Sequence, residues 1–452
     1  MKTNLLKISV LGCFLFVGTN VITAQTLDDY VREGLSSNLI LQQKNISLQQ
    51  AQQSLKIARS FFLPSINFLA DYTSGEGGRS IGIPIGDLLN PVYTSLNQMT
   101  QSDAFTHVEN VEQNFFPKDF YDARIRASIP LVNTDLHINR TIQGQQVMIK
   151  QYEVEVYKRE LVQDIKTAYY NQVAAEEAVK IYESALSLVD KNVEVNESLL
   201  RNGKSLPANL LRSKSEAERV KAELNSARNK VSNSQKYFNF LLNRDLDTEI
   251  HIEFSPENFP VMIDTLSLEV NGREELNMLK TVREINESSL RMSRLSRLPK
   301  VNAFMDLGTQ AQSWRYNDQS RYYLVGVQLS LPIFQGFRND LTIRHNKLEI
   351  QKSQQNLANT EKKLELAVSS ARNDLHTTVQ NYYAAQEQLK SAKSYFHLVE
   401  KGYKEGVNTL IEFLDARNQL TSSQLQLNLR QLEVLTAQAH VERETASYTF
   451  EN

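Results

Sequence analysis

Residues 161–200 read LVQDIKTAYYNQVAAEEAVKIYESALSLVDKNVEVNESLL. Along this stretch, apolar residues return in alternating steps of four and three. The twelve positions on these steps are Leu161, Ile165, Ala168, Gln172, Ala175, Val179, Tyr182, Leu186, Val189, Val193, Asn196 and Leu200. Ten of the twelve are apolar, which predicts the seam of a long helix that packs against another helix.

The same pattern returns 203 residues further along the chain. The corresponding positions, of which eleven are apolar, are Leu364, Val368, Ala371, Leu375, Thr378, Tyr382, Ala385, Leu389, Ala392, Phe396, Val399 and Tyr403. The same offset carries Gly203 onto Gly406. The sequence therefore predicts two structural repeats, 25–243 and 271–452, joined by an inter-repeat segment, 244–270, in the equatorial region of the helices.

Each repeat is predicted to contain an antiparallel hairpin of two long helices. The four helices cover residues 134–201, 206–243, 337–404 and 409–447. Gly203 and Gly406 interrupt the apolar pattern within each pair and mark the hairpin turns. At 1.5 Å per residue, each longer helix would extend roughly 100 Å, several times the thickness of a bilayer.

Two segments of period-two alternation precede each helical hairpin. The predicted strands are 65–73, 119–129, 300–308 and 321–331, each with one apolar and one mostly polar face. A soluble antiparallel sheet over a core has the same alternation. We favour a membrane-facing sheet because Tyr72, Tyr121 and Tyr323 stand at or near the ends of the apolar faces, as interfacial aromatics do. The flanking helices are also too long to cover the sheet.

Four strands are too few to close a membrane barrel, and an open edge would leave backbone groups unsatisfied in lipid. Two copies would give eight strands with an interior filled by side chains, whereas three copies leave room for a channel. The predicted fold is mostly α-helical, with long helical hairpins and four strands per chain that enter a 12-stranded trimeric β-barrel. Residues 74–117 are predicted to be a long extracellular loop.

Composition excludes several other classes of protein. The 452 residues include 50 Lys and Arg against 52 Asp and Glu, a balance that argues against a nucleic-acid partner. Residues 1–24 have the pattern of a cleavable signal peptide. The only cysteine, Cys13, lies in that segment, and the seven His residues lack metal-ligand spacing. Since no nucleophile motif is present either, we expect no metal, no cofactor and no enzymatic activity.

Several short motifs together resemble the TolC-like outer-membrane efflux family over essentially the whole mature chain. They are the Leu-Pro pairs at 63–64 and 298–299, Pro130 and Pro332 at the strand-to-helix junctions, Leu241-Leu242-Asn243, Arg273-Glu274-Glu275-Leu276, and Gly402-Tyr403-Lys404-Glu405-Gly406 followed by Glu412-Phe413-Leu414-Asp415-Ala416. Each motif is weak alone, but their order and spacing are specific.

This resemblance implies a homotrimer in the outer membrane of a Gram-negative bacterium, with a tunnel that extends into the periplasm. The implied partners are outer-membrane lipid, a periplasmic adaptor (membrane fusion) protein that contacts the hairpin tips at Gly203 and Gly406, and an inner-membrane transporter. The implied function is passive conduction of substrates in a tripartite efflux or type I secretion system. The alternative is a soluble periplasmic coiled-coil scaffold or adaptor.

The resemblance also implies a gate at the tunnel entrance. In the family, acidic residues after the tip glycine ring the entrance, and Glu412 and Asp415 match those positions. They share one helix face, although acids in a first helical turn can also simply complement the helix dipole. Asn209 and Asn408 stand where the family often has an Asp and a basic residue. We therefore predict that Tyr403 and Asn408 make a weaker, hydrogen-bonded latch in place of one built from ion pairs.

Overall fold

The computed structural model of the chain describes residues 26–116, 118–252 and 272–450. The predicted signal peptide, 1–24, and residues 253–270 of the predicted inter-repeat segment lie outside the described residues. Residues 244–252 contain turns but no helix or strand. None of the helices in the described part of the chain combines the length and the apolar character needed to cross a membrane.

Long helices dominate the described residues. The helices are α1 (Leu27–Ser37), α2 (Leu39–Ser60), α3 (Ile85–Thr100), α4 (Thr134–Arg201), α5 (Pro207–Leu241), α6 (Glu274–Leu295), α7 (Arg338–Lys404) and α8 (Leu410–Glu444). The strands are β1 (Ser65–Thr73), β2 (Ser80–Ile83), β3 (Val111–Asn114), β4 (Phe120–Val132), β5 (Lys300–Gln312) and β6 (Arg321–Ser330). The helices α4 and α7 contain 68 and 67 residues.

The chain divides into two compact units. One unit contains residues 26–45, 154–252, 272–274 and 360–450 among those described, and its core is built from the helix seams. Leu161 and Ile165 are completely buried, and the polar seam residues Gln172 and Asn196 are also buried. In the second seam, nine of the twelve positions are buried. The seven-residue spacing therefore does mark the packed face of each long helix.

The other unit contains residues 46–116, 118–153 and 275–359, with a four-stranded antiparallel sheet in the order β1-β4-β5-β6. The pairing of β4 with β5 connects strands from the two predicted repeats. β4 is three residues longer than predicted at its carboxyl end, and its register with β5 shifts between Pro130 and Val132. Proline has no N–H to donate to the ladder, so a bulge at this position lets the strand continue past it.

The segment 74–117 differs from the predicted loop. It contains α3 and a two-stranded sheet of β2 and β3. Asn90 exchanges two hydrogen bonds with the backbone of Val108, at 3.0 and 2.9 Å, and Asn97 does the same with Phe105, at 2.9 and 3.0 Å. These amides replace strand partners for an extended segment beside the helix. Hydrogen bonds from asparagine side chains leave no repeating apolar pattern in the sequence, so the sequence predicted only a loop here.

Candidate functional site

The two hairpin turns have the same local geometry. Gly203 has φ +70° and Gly406 has φ +73°, the left-handed conformation that favours glycine. Lys204 N donates to Leu199 O at 2.8 Å, and Val407 N donates to Gly402 O at 2.8 Å. This 6→1 bond after a left-handed residue is the Schellman motif, which satisfies carbonyls at a helix end. Both turns therefore end a long helix by the same mechanism.

A buried polar cluster lies near these turns, where α4, α5 and α7 meet. Asn196 Nδ2 lies 3.0 Å from Asn192 Oδ1, 3.2 Å from Ser213 Oγ and 3.3 Å from the Tyr403 hydroxyl. Ser213 Oγ in turn donates to Asn192 Oδ1 at 2.9 Å. Asn192, Asn196 and Ser213 are each at least 96% buried. Because a buried amide without partners is costly, this cluster favours one arrangement of the three helices.

Tyr403 and Asn408 form no hydrogen bond with each other in the described structure. The Tyr403 hydroxyl accepts from Asn196, and its ring stacks on Phe413 with centroids 4.9 Å apart. Asn408 Nδ2 instead donates to Glu412 Oε2 at 3.3 Å. A Cβ on Gly402 would lie 1.9 Å from Asn408 Oδ1, so glycine makes room for this amide. The described structure therefore pairs Tyr403 with Asn196 and Asn408 with Glu412, and a latch at this tip stays a prediction.

Glu412 caps the start of α8. Its carboxylate accepts from Thr409 N at 2.7 Å and from Thr409 Oγ1 at 3.0 Å, and Glu412 N donates back to Thr409 Oγ1 at 3.3 Å. The backbone hydrogen bond from Thr409, followed by the Asn408 amide, lowers the pKa of Glu412 below its usual value. This reciprocal pair is a capping box. Glu412 therefore caps the helix, whereas the alternative predicted from the sequence was only that it complements the helix dipole.

The two remaining predicted gate residues, Asp415 and Asn209, take no part in the hydrogen bonds of this cap. Asp415 is exposed and forms no hydrogen bond or ion pair with the residues that the structure describes. The Asn209 amide donates to Ser205 Oγ at 3.2 Å within its own turn, and its backbone carbonyl accepts from Ser213 Oγ at 3.0 Å. Asn209 thus touches the polar cluster only through its backbone.

An ion pair that the sequence analysis missed joins α5 to α8. The Arg417 guanidinium is 1% exposed and donates to Glu216, which also accepts two bonds from Arg219 at 2.6 and 3.1 Å. Burial lowers the pKa of Arg417. Burial also raises the pKa of Glu216, but the hydrogen bond from Arg219 and the charge of Arg417 outweigh it, and the net shift is downward. A charged residue on the apolar stripe of α8 was the available signal.

The four-stranded sheet has one apolar and one mostly polar face. Ile66, Phe68, Val325 and Val327 lie on the apolar face and are 66 to 73% exposed. Continuing this face across the two inner strands are Ala123, Ile125, Ala127, Ala303, Met305 and Leu307. An exposed apolar surface of this width is rare on a soluble monomer and marks a surface that contacts a partner or a membrane.

Ion pairs hold the opposite face of the sheet. Arg126 donates to both carboxylate oxygens of Asp306, at 2.7 and 2.6 Å. Arg124 pairs with Asp122, which also accepts from the Tyr322 hydroxyl at 2.8 Å. One apolar and one charged face is the pattern of a membrane barrel with an aqueous interior.

Aromatic residues collect at the end of the sheet opposite the junctions with α4 and α7. Tyr72 and Tyr121 lie opposite each other, and Trp314 stacks with both rings at centroid distances of 5.4 Å. Trp314 is 67% exposed and was not among the predicted interfacial aromatics. Tyr323 lies apart from this aromatic group. It is opposite Leu307 on β5, whereas Tyr121 is opposite Ala311, four residues further along the same strand.

Comparison with known proteins agrees with this combination of sheet and helices. Residues 31–244 and 269–445 match the family model described as outer membrane efflux protein. This chain belongs to that family. Members of the outer membrane efflux protein family are not enzymes, and this member is an outer-membrane protein with a transport function. In the described residues, no three His, Cys, Asp or Glu side chains group as metal ligands.

Individual relatives of this efflux protein are distant in sequence. The outer membrane protein TolC of Escherichia coli (strain K12) is 20% identical over 438 residues, covering 92% of this chain and 81% of TolC. The solvent efflux pump outer membrane protein SrpC of Pseudomonas putida is 20% identical over 294 residues, covering 62% of this chain and 61% of SrpC. The solved structure of VceC from Vibrio cholerae has a TM-score of 0.71 at 14% identity, covering 93% of this chain and 95% of VceC. These structural similarities show the fold.

Proposed function

We propose that this efflux protein is one subunit of a homotrimeric channel that conducts substrates passively across the periplasm and the outer membrane. The exposed apolar face of the sheet, with charges confined to the other face, is the observation that carries the proposal. In a barrel the apolar face contacts lipid and the ion-paired face borders water. A soluble periplasmic scaffold would leave this apolar face in water, which argues against that alternative.

The open edges of the sheet favour assembly of several copies. β1 and β6 are the two edge strands, and the three antiparallel pairings between them make these edges run in opposite directions. The β6 edge of one copy can therefore pair antiparallel with the β1 edge of the next. Three copies give a closed barrel of twelve strands, and their long helices, four per chain, continue it as a tunnel.

The tips of the helical hairpins are the proposed adaptor contacts. Leu206 and Leu211 are 68% exposed beside Gly203, and Val407 and Ile411 are 80 and 71% exposed beside Gly406. Exposed apolar residues grouped at the tip of a hairpin indicate docking. We assign their partner as the periplasmic adaptor of a tripartite efflux or type I secretion system, which connects the channel to an inner-membrane transporter.

The gate in this proposal is formed at the same end. Glu412 and Asp415 from three copies surround the entrance, while Tyr403 and its partner Asn196 hold α7 against α4. Tyr403→Phe removes one hydrogen bond and keeps the stacking on Phe413, so it should increase channel conductance without unfolding the tip. An unchanged conductance of the purified trimer in planar bilayers would exclude Tyr403 from the gate.

The closed barrel is tested by crosslinking the edge strands. Leu69→Cys on β1 is combined with one cysteine at a time along β6, at Tyr322, Leu324 or Gln328. We expect one combination to produce disulfide-linked dimers and trimers in detergent, and the trimers to form channels in planar bilayers. A matched cysteine at Gln310 on the inner strand β5 should not crosslink. A monomer that needs no detergent and forms no channel would refute the proposal.

A further inference from the structure

Positive charge is concentrated where the sheet meets the long helices. The four connections at this end, residues 53–64, 131–143, 288–300 and 331–347, contain ten Lys or Arg against two Asp, a net charge of +8 in a chain of net charge −2. We call the ten cations the basic collar: Lys56, Arg59, Arg140, Arg291, Arg294, Arg297, Lys300, Arg338, Arg344 and Lys347. The loops at the other end, 74–119 and 313–320, contain three Lys or Arg against seven Asp or Glu. The two ends of the sheet are therefore oppositely charged.

Most of the collar is not neutralised within the chain. Arg297 pairs with Asp340 at 2.6 Å, and Lys300 pairs with Asp135. Six collar residues are exposed and form no ion pair with any described residue: Lys56, Arg59, Arg291, Arg294, Arg344 and Lys347. A group of unpaired positive charges attracts an anionic partner.

A cavity opens within the collar, between the end of α6 and the start of α7. Its volume is about 240 Å³, and its lining includes Ser296, Arg297, Phe334, Gln335, Phe337 and Arg338. Asp340 also lines the cavity and is the carboxylate that pairs with Arg297. Two arginines against one aspartate leave the lining with a net charge of +1, beside two phenylalanines. Phe337 has φ +60°, which is unfavourable for a bulky residue, yet its ring is 70% exposed. Backbone strain that exposes an aromatic ring is consistent with a bound partner.

A line of exposed apolar side chains leads from the sheet to this cavity. Val325, Val327 and Leu329 alternate along the apolar face of β6, and Leu331 and Ile333 continue the alternation beyond its end. Ile333 is 92% exposed and lines the cavity directly. A ligand with a charged head in the cavity could therefore lay an apolar chain along the outside of the sheet.

We propose that this cavity binds the phosphate headgroup of an anionic phospholipid from the periplasmic leaflet, with its acyl chains along Ile333, Leu331 and Leu329. The inference rests on the proposed function, since it needs the sheet in a membrane. The collar supplies a charge that complements the headgroup, and the negative loops at the other end oppose binding there. Basic residues beside a membrane attract anionic lipid in the same way.

The test is a titration of the detergent-solubilised trimer with short-chain phosphatidylglycerol, followed by native mass spectrometry. Phosphatidylcholine of equal chain length has the same phosphate without the net charge. Each cation beside an anionic surface contributes about 1 kcal/mol, or about fivefold in affinity. We therefore expect the Arg294→Gln/Arg297→Gln/Arg338→Gln variant to bind phosphatidylglycerol about 100-fold more weakly.

A matched control removes three exposed cations elsewhere on α7, as Lys362→Gln/Lys363→Gln/Lys393→Gln, and should keep wild-type lipid affinity. Equal binding of the two lipids by wild type would overturn the proposal and leave an acidic protein surface as the partner of the collar. Displacement of the lipid by excess inorganic phosphate would also overturn it, because the cavity would then bind a free anion. Channel conductance of the same trimers is measured in parallel, so that failure of the proposed function is seen separately.

Discussion

The buried pair of Glu216 and Arg417 should respond very differently to loss of either partner. Glu216→Gln leaves the Arg417 charge buried at 1% exposure, and Arg417 Nε already lacks a partner in the described structure. Breaking a buried pair in this way costs about 3–5 kcal/mol. Arg417→Met removes the buried charge, and Glu216 keeps its two bonds from Arg219 at 2.6 and 3.1 Å. We expect that variant to lose about 1 kcal/mol or less.

Hydrogen exchange measured by mass spectrometry reads this difference directly, because exchange follows the local opening of α5 and α8. A loss of about 3 kcal/mol corresponds to more than a hundredfold faster exchange. Glu387→Gln, which removes an exposed ion pair with Lys390, is the matched control and should change exchange little. The double variant Glu216→Gln/Arg417→Met should recover most of the protection. If Glu216→Gln exchanges no faster than Arg417→Met, the argument from buried charge is wrong.

Three further predictions address the turn, the cap and the aromatic end of the sheet. Gly406→Ala forces alanine into φ +73° and should destabilise the turn by about 1–2 kcal/mol. Gly144 lies within α4 with open space around it, so Gly144→Ala should stabilise that helix by about 0.5–1 kcal/mol. Thermal unfolding of the two variants measures the difference. Because the pKa of Glu412 is lowered in the fold, its cap stabilises α8 above the unfolded pKa of about 4.3 and is lost as pH falls through the folded pKa. Protection of the first turn of α8, measured against the intrinsic exchange rate at each pH, should therefore fall in acid, and Glu412→Gln should abolish that pH dependence. Trp314 is the only tryptophan, so its fluorescence in vesicles should be quenched by lipids brominated near the headgroup and spared by those brominated at the chain end.

The periodicity of apolar residues predicted most of the helices and strands that build the two units. The four long helices of the structure lie within three residues of their predicted ends, and the four strands of the larger sheet lie within four. These elements are readable because a buried stripe repeats along the chain at a fixed local spacing, whatever it packs against. The internal repeat and the trimer are not tested by the contacts of the described residues, and both stay predictions.

The functional end was only partly readable. Asn196 interrupts an apolar seam, which is a signal for a buried polar contact, but the sequence does not say that its partner is Tyr403, 207 residues away. Glu412 was assigned correctly to the first turn of a helix, and its hydrogen bonds then favour the capping role. The segment 74–117 was missed because its order comes from asparagine side chains and not from a repeating apolar pattern.

For the four long helices and the larger sheet, the sequence by itself determined which residues are helical, which are extended and which face of each is apolar, because these follow from spacing along one chain. Only the tertiary structure decided which polar residues meet. Glu216 finds Arg417 across 201 residues because α5 and α8 lie side by side, and the collar cavity exists because α6 ends where α7 begins. Such contacts depend on which elements become neighbours in the fold. The spacing of residues within one element does not indicate which other element packs against it.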